Sequence, residues 1–346
     1  MAARIELIKM WLQGHRMVAV ALMLLLALGM ALLGRYWLFL QNLKAPLSLQ
    51  SPYVLTVAGG SNFTRIVRQL KDDGVLDNDD LLYYVRYKDL ANRIRAGEYE
   101  LVAGTTPLAL LDLLLQGRVI EYQVRIGEGW TLREAIQSIQ QHPVVLDTLD
   151  ANDATALQQA FGSERYPEGL VFPDTYNFVR GTTDLEILQR ARERMQGTLA
   201  AAWAERDSGL PYQSEYDVLI MASIVEKETG LTSEQPEISG VFMRRLQQGM
   251  KLQTDPTVIY GIGAGFNGNL TRSNLQTDTP YNTYTRDGLP PTPIALPSRN
   301  AIFASVHPAA GSALYFVAKG DGSHYFSSTL DEHNNAVREF QIKQNP

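Results

Sequence analysis

The stretch QSEYDVLIMASIVEKETG at residues 213–230 decides how this chain folds. Ser214 followed by Asp217 three positions on reads as a helix start, and Gly230 as its stop. From Val218 to Val225 the run carries no charge, so the predicted helix is apolar on every side and must be enclosed by neighbours. Glu226 follows the run directly, on the face of Leu219, Ala222 and Ser223, whereas Glu228 points roughly 200° away at about 100° per residue. The two carboxylates cannot share one pocket. A carboxyl emerging from an apolar helix into a cleft has a raised pKa, because desolvation disfavours its charged form, and it can then act as a general acid. Glu226 is the candidate for that role. The same letters also fit two glutamates that merely end a helix in solvent, and the pattern alone leaves both readings open.

Around this helix the sequence predicts further helices over 153–162, 184–207 and 236–248, the last with Ile238, Val241, Phe242 and Leu246 on one face. From Leu252 onward the chain is rich in Gly, Pro, Asn and Thr, with short strand-like runs such as ALYFVAKG and HYFSST. A cleft between helices and an irregular sheet is expected. LQTDPTVIYG (252–261) and YNTYTRDGLPPTPI (281–294) offer amides, hydroxyls and aromatic rings, the chemistry that binds sugars. Gln253, Thr254, Asp255 and Asn282 could bond hydroxyls, and Tyr281 or Tyr284 could stack on a pyranose face. Taken singly, DP, NT and GLPP are also ordinary turn punctuation. Asp174 in FPDTY could also serve as a catalytic carboxylate, but a turn aspartate capping backbone amides is the better reading. His307, His324 and His333 lack close metal-ligand spacing, so no metal or other cofactor is expected.

Upstream, three segments repeat a strand-like run that ends in glycine and opens a capped helix: residues 53–70, 99–115 and 122–139. Thr106 with Pro107 and Thr131 with Glu134 are their helix starts. Gly60, Gly104 and Gly129 are unevenly spaced, which excludes a solenoid. These segments predict βα-type units of a small α+β region over 52–142, with a helix at Asp79–Lys88, followed by a mixed α+β domain over 143–346.

At the start, Met17 to Gly34 is uncharged and Tyr36, Trp37 and Phe39 follow Arg35. Roughly 20 apolar residues suffice to cross a bilayer, and interfacial aromatics and a snorkelling Arg35 fit its edge. Arg4, Lys9 and Arg16 precede the run, so the positive-inside rule predicts a cytoplasmic segment 1–16, a retained anchor 17–40 and an exported remainder. A cleaved signal peptide shares this pattern, but no small-x-small cleavage site follows the apolar run. Residues 41–51, with Pro46, read as a tether of at most about 36 Å. The 346 residues, 45% apolar and 20% charged, suit about two ordered domains. With no cysteine, a thiol nucleophile and a disulfide framework are excluded. Net charge is −6, and residues 1–50 hold five basic side chains against one acid, leaving the rest at −10, a poor partner for nucleic acid.

In the order EGLVFPDTY (168–176), ASIVEKET (222–229), LQTDPTVIYG (252–261), YNTY (281–284), GLPP (288–291) and YFVAKGDGSHYFSSTLDEHN (315–334), the chain resembles the endolytic murein transglycosylases of the MltG (YceG-like) family over nearly its whole length. The resemblance implies a LysM-like module ahead of the catalytic domain, anchorage in the bacterial cytoplasmic membrane, and action on peptidoglycan glycan strands. It also implies that the first glutamate of IVEKET, Glu226, is the catalytic acid, and it points to a role in cell-wall synthesis. Location beside the membrane motivates an association with penicillin-binding proteins or other peptidoglycan synthases. One departure is PPTPI at 290–294, where the family often has glycine in place of Thr292, which bears on the local loop conformation. A hydrolytic muramidase and a non-catalytic glycan-binding scaffold are the rival readings.

Overall fold

The computed structural model describes residues 2–342; Met1 and residues 343–346, the outermost positions of the expected segments 1–16 and 143–346, lie outside it. The fold is mixed α+β, in two compact units, Met1–Glu121 and Tyr122–Pro346.

In the first unit a single helix, α1 (Ala2–Lys44), leads into β1 (Tyr53–Val57), α2 (Phe63–Asp72), α3 (Asp80–Tyr87), β2 (Gly97–Leu101) and α4 (Pro107–Gln116). From Met17 onward α1 is long and apolar enough to cross a membrane, as either a single-pass anchor or a signal sequence requires. Strands β1 and β2 pair antiparallel, Tyr53 opposite Leu101 and Val57 opposite Gly97. Alternation along β1 turns Leu55 and Val57 onto α2 and α4, whose Ile66, Leu70, Leu110 and Leu114 complete the core. Thr106 caps α4 as the sequence predicts, its hydroxyl accepting from Ala109 N at 3.1 Å, and the Asn62 side chain caps α2 by accepting from Arg65 N at 2.9 Å.

The stretch 41–51, expected as a free tether, is docked on this unit. Helix α1 continues through Lys44, and Leu43 and Leu47 are buried in the same core. Leu47 N donates to Thr105 O at 2.8 Å and Ser48 N to Val75 O at 3.2 Å. Buried Asp80 receives Arg35 Nη2 at 2.6 Å and Asn42 Nδ2 at 2.7 Å. The physical reason is the leucines: each buried side chain contributes about 1.5–3 kcal/mol, which outweighs the freedom that Pro46 and the polar residues suggest.

The second unit comprises β3 (Tyr122–Arg125), α5 (Leu132–Gln140), α6 (Ala154–Phe161), β4 (Thr175–Phe178), α7 (Asp184–Glu205), α8 (Glu215–Glu228), α9 (Gln235–Gln247), α10 (Asp255–Ile262), α11 (Arg272–Gln276), α12 (Arg299–Val306), β5 (Tyr315–Ala318), β6 (His324–Ser327) and α13 (Leu330–Val337). The third repeated segment belongs here rather than beside the other two. Its strand β3 pairs antiparallel with β4, Tyr122 opposite Phe178 and Arg125 opposite Thr175, and shares a core with Leu132, Ile136, Phe161, Ile187 and Leu188.

At the centre lies α8. Asp217 accepts from Gln213 N at 2.7 Å and Ser214 N at 3.3 Å at its start. Every residue from Val218 to Val225 is buried, among α7, α9, α10 and α12. The all-apolar circumference thus has the enclosure that its composition demands. The hairpin β5–β6 pairs Tyr315 with Ser327 and Ala318 with His324, under α13.

Candidate active site

Because α8 leaves its enclosure only in its last turn, both glutamates of that turn emerge beside other parts of the second unit, on different faces. Each meets its own cavity.

Glu228 opens onto a pocket of about 490 Å³ whose lining includes Arg245, Gln253, Asp255, Tyr284, Tyr315 and His324. The Thr254 hydroxyl donates to Glu228 Oε1, and Tyr284 OH donates to Asp255 Oδ1 at 2.6 Å. Thr254 is held in turn by Thr283, whose hydroxyl accepts from Thr254 N at 3.1 Å. Gln253 adopts φ of 50°, a left-handed conformation unusual for a residue with a side chain, and its N–H reaches Thr283 O at 3.2 Å. Arg245 anchors the far wall through Leu252 O and Leu314 O, both at 2.7 Å, with its guanidinium 5.1 Å from the Tyr315 ring. His324 Nδ1 lies 2.8 Å from Glu234 Oε2. Burial pushes the Glu228 carboxyl up to about 7, the Thr254 bond opposes this, and the charge of Asp255 adds to it.

Glu226 faces a second groove of about 400 Å³, lined among others by Glu128, Trp130, Gln235, Ser298 and Asn300. Its Oε2 accepts from Ser298 Oγ at 2.6 Å and Ser298 N at 3.0 Å. Ser298 is also the N-cap of α12, accepting from Ala301 N at 3.2 Å, so one hydroxyl joins the carboxylate to the helix start. Burial raises the Glu226 pKa, the two Ser298 bonds lower it, and nearby Glu128 raises it. The groove wall at 127–130 is fixed by Gly129 N to Leu296 O at 2.9 Å, Leu296 N to Trp130 O at 2.7 Å and Lys227 Nζ to Gly129 O at 3.1 Å.

The sugar-binding candidates therefore divide. Gln253, Thr254, Asp255 and Tyr284 gather around Glu228, not around Glu226. Asn282 is fully buried and its Nδ2 donates to Asn274 O, Leu275 O and Thr277 O at 3.2, 3.1 and 2.7 Å, which pins the loop after α11. Tyr281 packs edge-on against Tyr260, and its OH lies 2.8 Å from the hydroxyl of Thr292. Thr292 thereby gives the 290–294 loop a bond that glycine cannot make. Asp174 accepts from Thr175 N at 2.6 Å and pairs with Arg194 at 2.6 Å, in the turn role read from FPDTY.

Several site residues escaped the sequence reading. Arg245, Tyr315 and Phe316 sit on regular elements whose pattern says only that they pack, and the spacing of His324 and His333 speaks only to metal binding. Ser298 and Trp130 carry the ordinary signals of a helix cap and a loop aromatic. Glu168, the first residue of EGLVFPDTY, carries no signal in that motif beyond its charge, yet it is buried, accepts from Leu132 N at 2.7 Å and Tyr260 OH at 2.9 Å, and burial pushes it up to about 7. Among the described residues no group of three or more His, Asp or Glu side chains forms a metal site.

An α+β scaffold that delivers protonatable carboxyls from one enclosed helix into polar cavities with aromatic walls defines a class of acid–base sites. Within that class the YceG-like family model matches residues 55–339, and the chain belongs to this family. It is 29% identical over 335 residues to an endolytic murein transglycosylase of Bacillus subtilis, covering 91% of this chain and 92% of that one. An endolytic murein transglycosylase of Streptococcus pneumoniae is 28% identical over 338 residues, 85% of this chain and 60% of the longer relative. A crystal structure of a YceG-like protein from Listeria monocytogenes superimposes with a TM-score of 0.52 at 27% identity, covering 83% of this chain and 99% of that one.

Proposed function

We propose that this chain is an endolytic lytic transglycosylase that cuts the β-1,4 bond between N-acetylmuramic acid and N-acetylglucosamine in nascent peptidoglycan and leaves 1,6-anhydromuramoyl ends. Homology to the endolytic murein transglycosylases supports the reaction class. One carboxyl suffices for it. The acid protonates the bridging oxygen as the C1–O bond breaks; the C6 hydroxyl of the same muramic residue then closes on C1, and the ionised carboxylate takes its proton. No water is consumed.

Of the two glutamates, Glu228 is the better acid. The observation that carries this is its place in the pocket formed by Gln253, Asp255 and Tyr284, with a carboxyl pushed up to about 7 and therefore substantially protonated at neutral pH. Asp255 in the same pocket is suited to stabilise positive charge developing at the sugar ring. Glu226, expected from the sequence to be the acid, is the second reading, favoured by its own groove and its raised pKa. A pair of carboxylates in one pocket also suits water activation, which keeps the muramidase alternative open to test. Mass spectrometry of products from purified glycan decides among these: Glu228→Gln should abolish cleavage, Glu226→Gln should not, and the wild-type ends should be lighter than reducing ends by one water. Loss of activity in Glu226→Gln alone moves the acid to that residue; reducing ends make the enzyme a muramidase. Unchanged cellular function in a non-cleaving variant favours the scaffold.

The surrounding roles follow from this reading. Residues 17–40 of helix α1 serve as a retained anchor in the bacterial cytoplasmic membrane, with residues 1–16 inside and the chain from residue 41 onward outside. The exported region drawn over 52–142 includes the LysM-like module, with residues 52–121 as its structural body, and 143–346 provides most of the catalytic domain. Held there, the enzyme meets strands as they leave the polymerase, and peptidoglycan synthases such as penicillin-binding proteins are the expected partners. Crosslinking in intact cells tests that association.

A further inference from the structure

The groove on the Glu226 face has no task in the reaction just proposed, yet it is built as a binding site. Trp130 forms one wall; its indole is packed so tightly on Gly127 that a Cβ there would come within 2.4 Å of the ring. The ring is thus a fixed, partly exposed platform. Gln235, which also lines the groove, is only 4% exposed, and its Oε1 has no hydrogen-bond partner among the described residues. A buried amide left unsatisfied costs free energy, on the order of 1–3 kcal/mol, that a ligand can recover. Glu226 and Asn300 add further groups that bond hydroxyls, Glu226 through the oxygen that Ser298 does not occupy.

We propose that this groove is a second saccharide subsite, holding a sugar of the strand away from the bond that is cut. A flat indole beside amide and carboxylate groups fits the apolar face and hydroxyl rim of a pyranose. Its lining carries Glu128 and Glu226 against Arg125 alone, which favours the neutral N-acetylglucosamine over the carboxylate-bearing muramic residue. The subsite rests on Glu228 being the acid, and the tests separate the two claims.

Tryptophan emission of the full-length Glu228→Gln chain is titrated with N-acetylchitotetraose, a neutral oligomer. Residues 45–121 contain no tryptophan, so sugar held by the first unit's globular part does not act directly on the signal. An emission change is expected, with affinity about tenfold weaker after Gln235→Leu, the weight of one lost buried contact. In the cleaving chain, Trp130→Ala and Gln235→Leu should each raise KM about tenfold and leave kcat within about twofold, and Trp130→Phe should restore most of the loss. No emission change, or an unchanged KM in both variants, overturns the subsite. So does a collapse of kcat at unchanged KM. Cleavage that persists in Glu228→Gln and is lost in Glu226→Gln sinks the assignment of the acid instead, whatever the titration gives.

Discussion

Glu228 and Glu168 are the carboxyls that burial drives up to about 7 from an ordinary 4.5, but they do different work. Glu228 opens onto a pocket, whereas Glu168 is sealed between Leu132 N and Tyr260 OH. If Glu228 must be protonated to act, kcat/KM should decline as pH rises through about 7, and the pH–rate profile checks this. Stability runs the same way. Between about 4.5 and about 7 the folded state keeps protons that the unfolded chain has released, so these groups contribute least resistance to unfolding above that window. Urea unfolding should show stability falling from pH 5 to pH 8, by up to ~3 kcal/mol per buried carboxyl. Glu168→Gln should flatten that slope even where it lowers stability overall. At Ser298 a single hydroxyl caps α12 and holds Glu226 Oε2. Ser298→Ala should cost about 1 kcal/mol in thermal unfolding and raise the Glu226 pKa further, a shift that carboxyl NMR titration would read.

The helix α8 shows how far local pattern reaches. Its start at Ser214, its enclosure from Val218 to Val225 and the divergence of its terminal glutamates were all legible, because capping and the 100° step per residue are local rules. Which cavity each glutamate faces was not. That depends on where Gln253 and Tyr284 arrive after long excursions of chain, and periodicity carries no such information. Strand β4 was missed for a related reason: TYNF is four residues among turns, and its partner β3 lies far back in sequence. The β5–β6 hairpin, by contrast, was announced by two short β-rich runs flanking GDG. Since α8 is the core of its unit, Ile224→Ala should destabilise it by about 2–5 kcal/mol, seen as a lower denaturant midpoint.

At the scale of the molecule, the chain forms two compact units that divide at Glu121 and Tyr122, whereas the sequence places the boundary at 142 and 143. The cause is the third βα segment, whose resemblance to its predecessors concealed a different sheet partner. Residues 122–346 should therefore fold without the first unit, giving a cooperative thermal transition, whereas a fragment beginning at 143 loses β3 and the whole of α5 and should not. At the other end, α1 enters the first unit as unbroken helix, with Leu43 inside the core and Arg35 and Asn42 clasped by Asp80. A span seated in a bilayer and joined in this way acts as an axle rather than a leash: any rotation of the helix turns the attached unit with it, and its stand-off from the lipid is set by helical rise instead of chain slack.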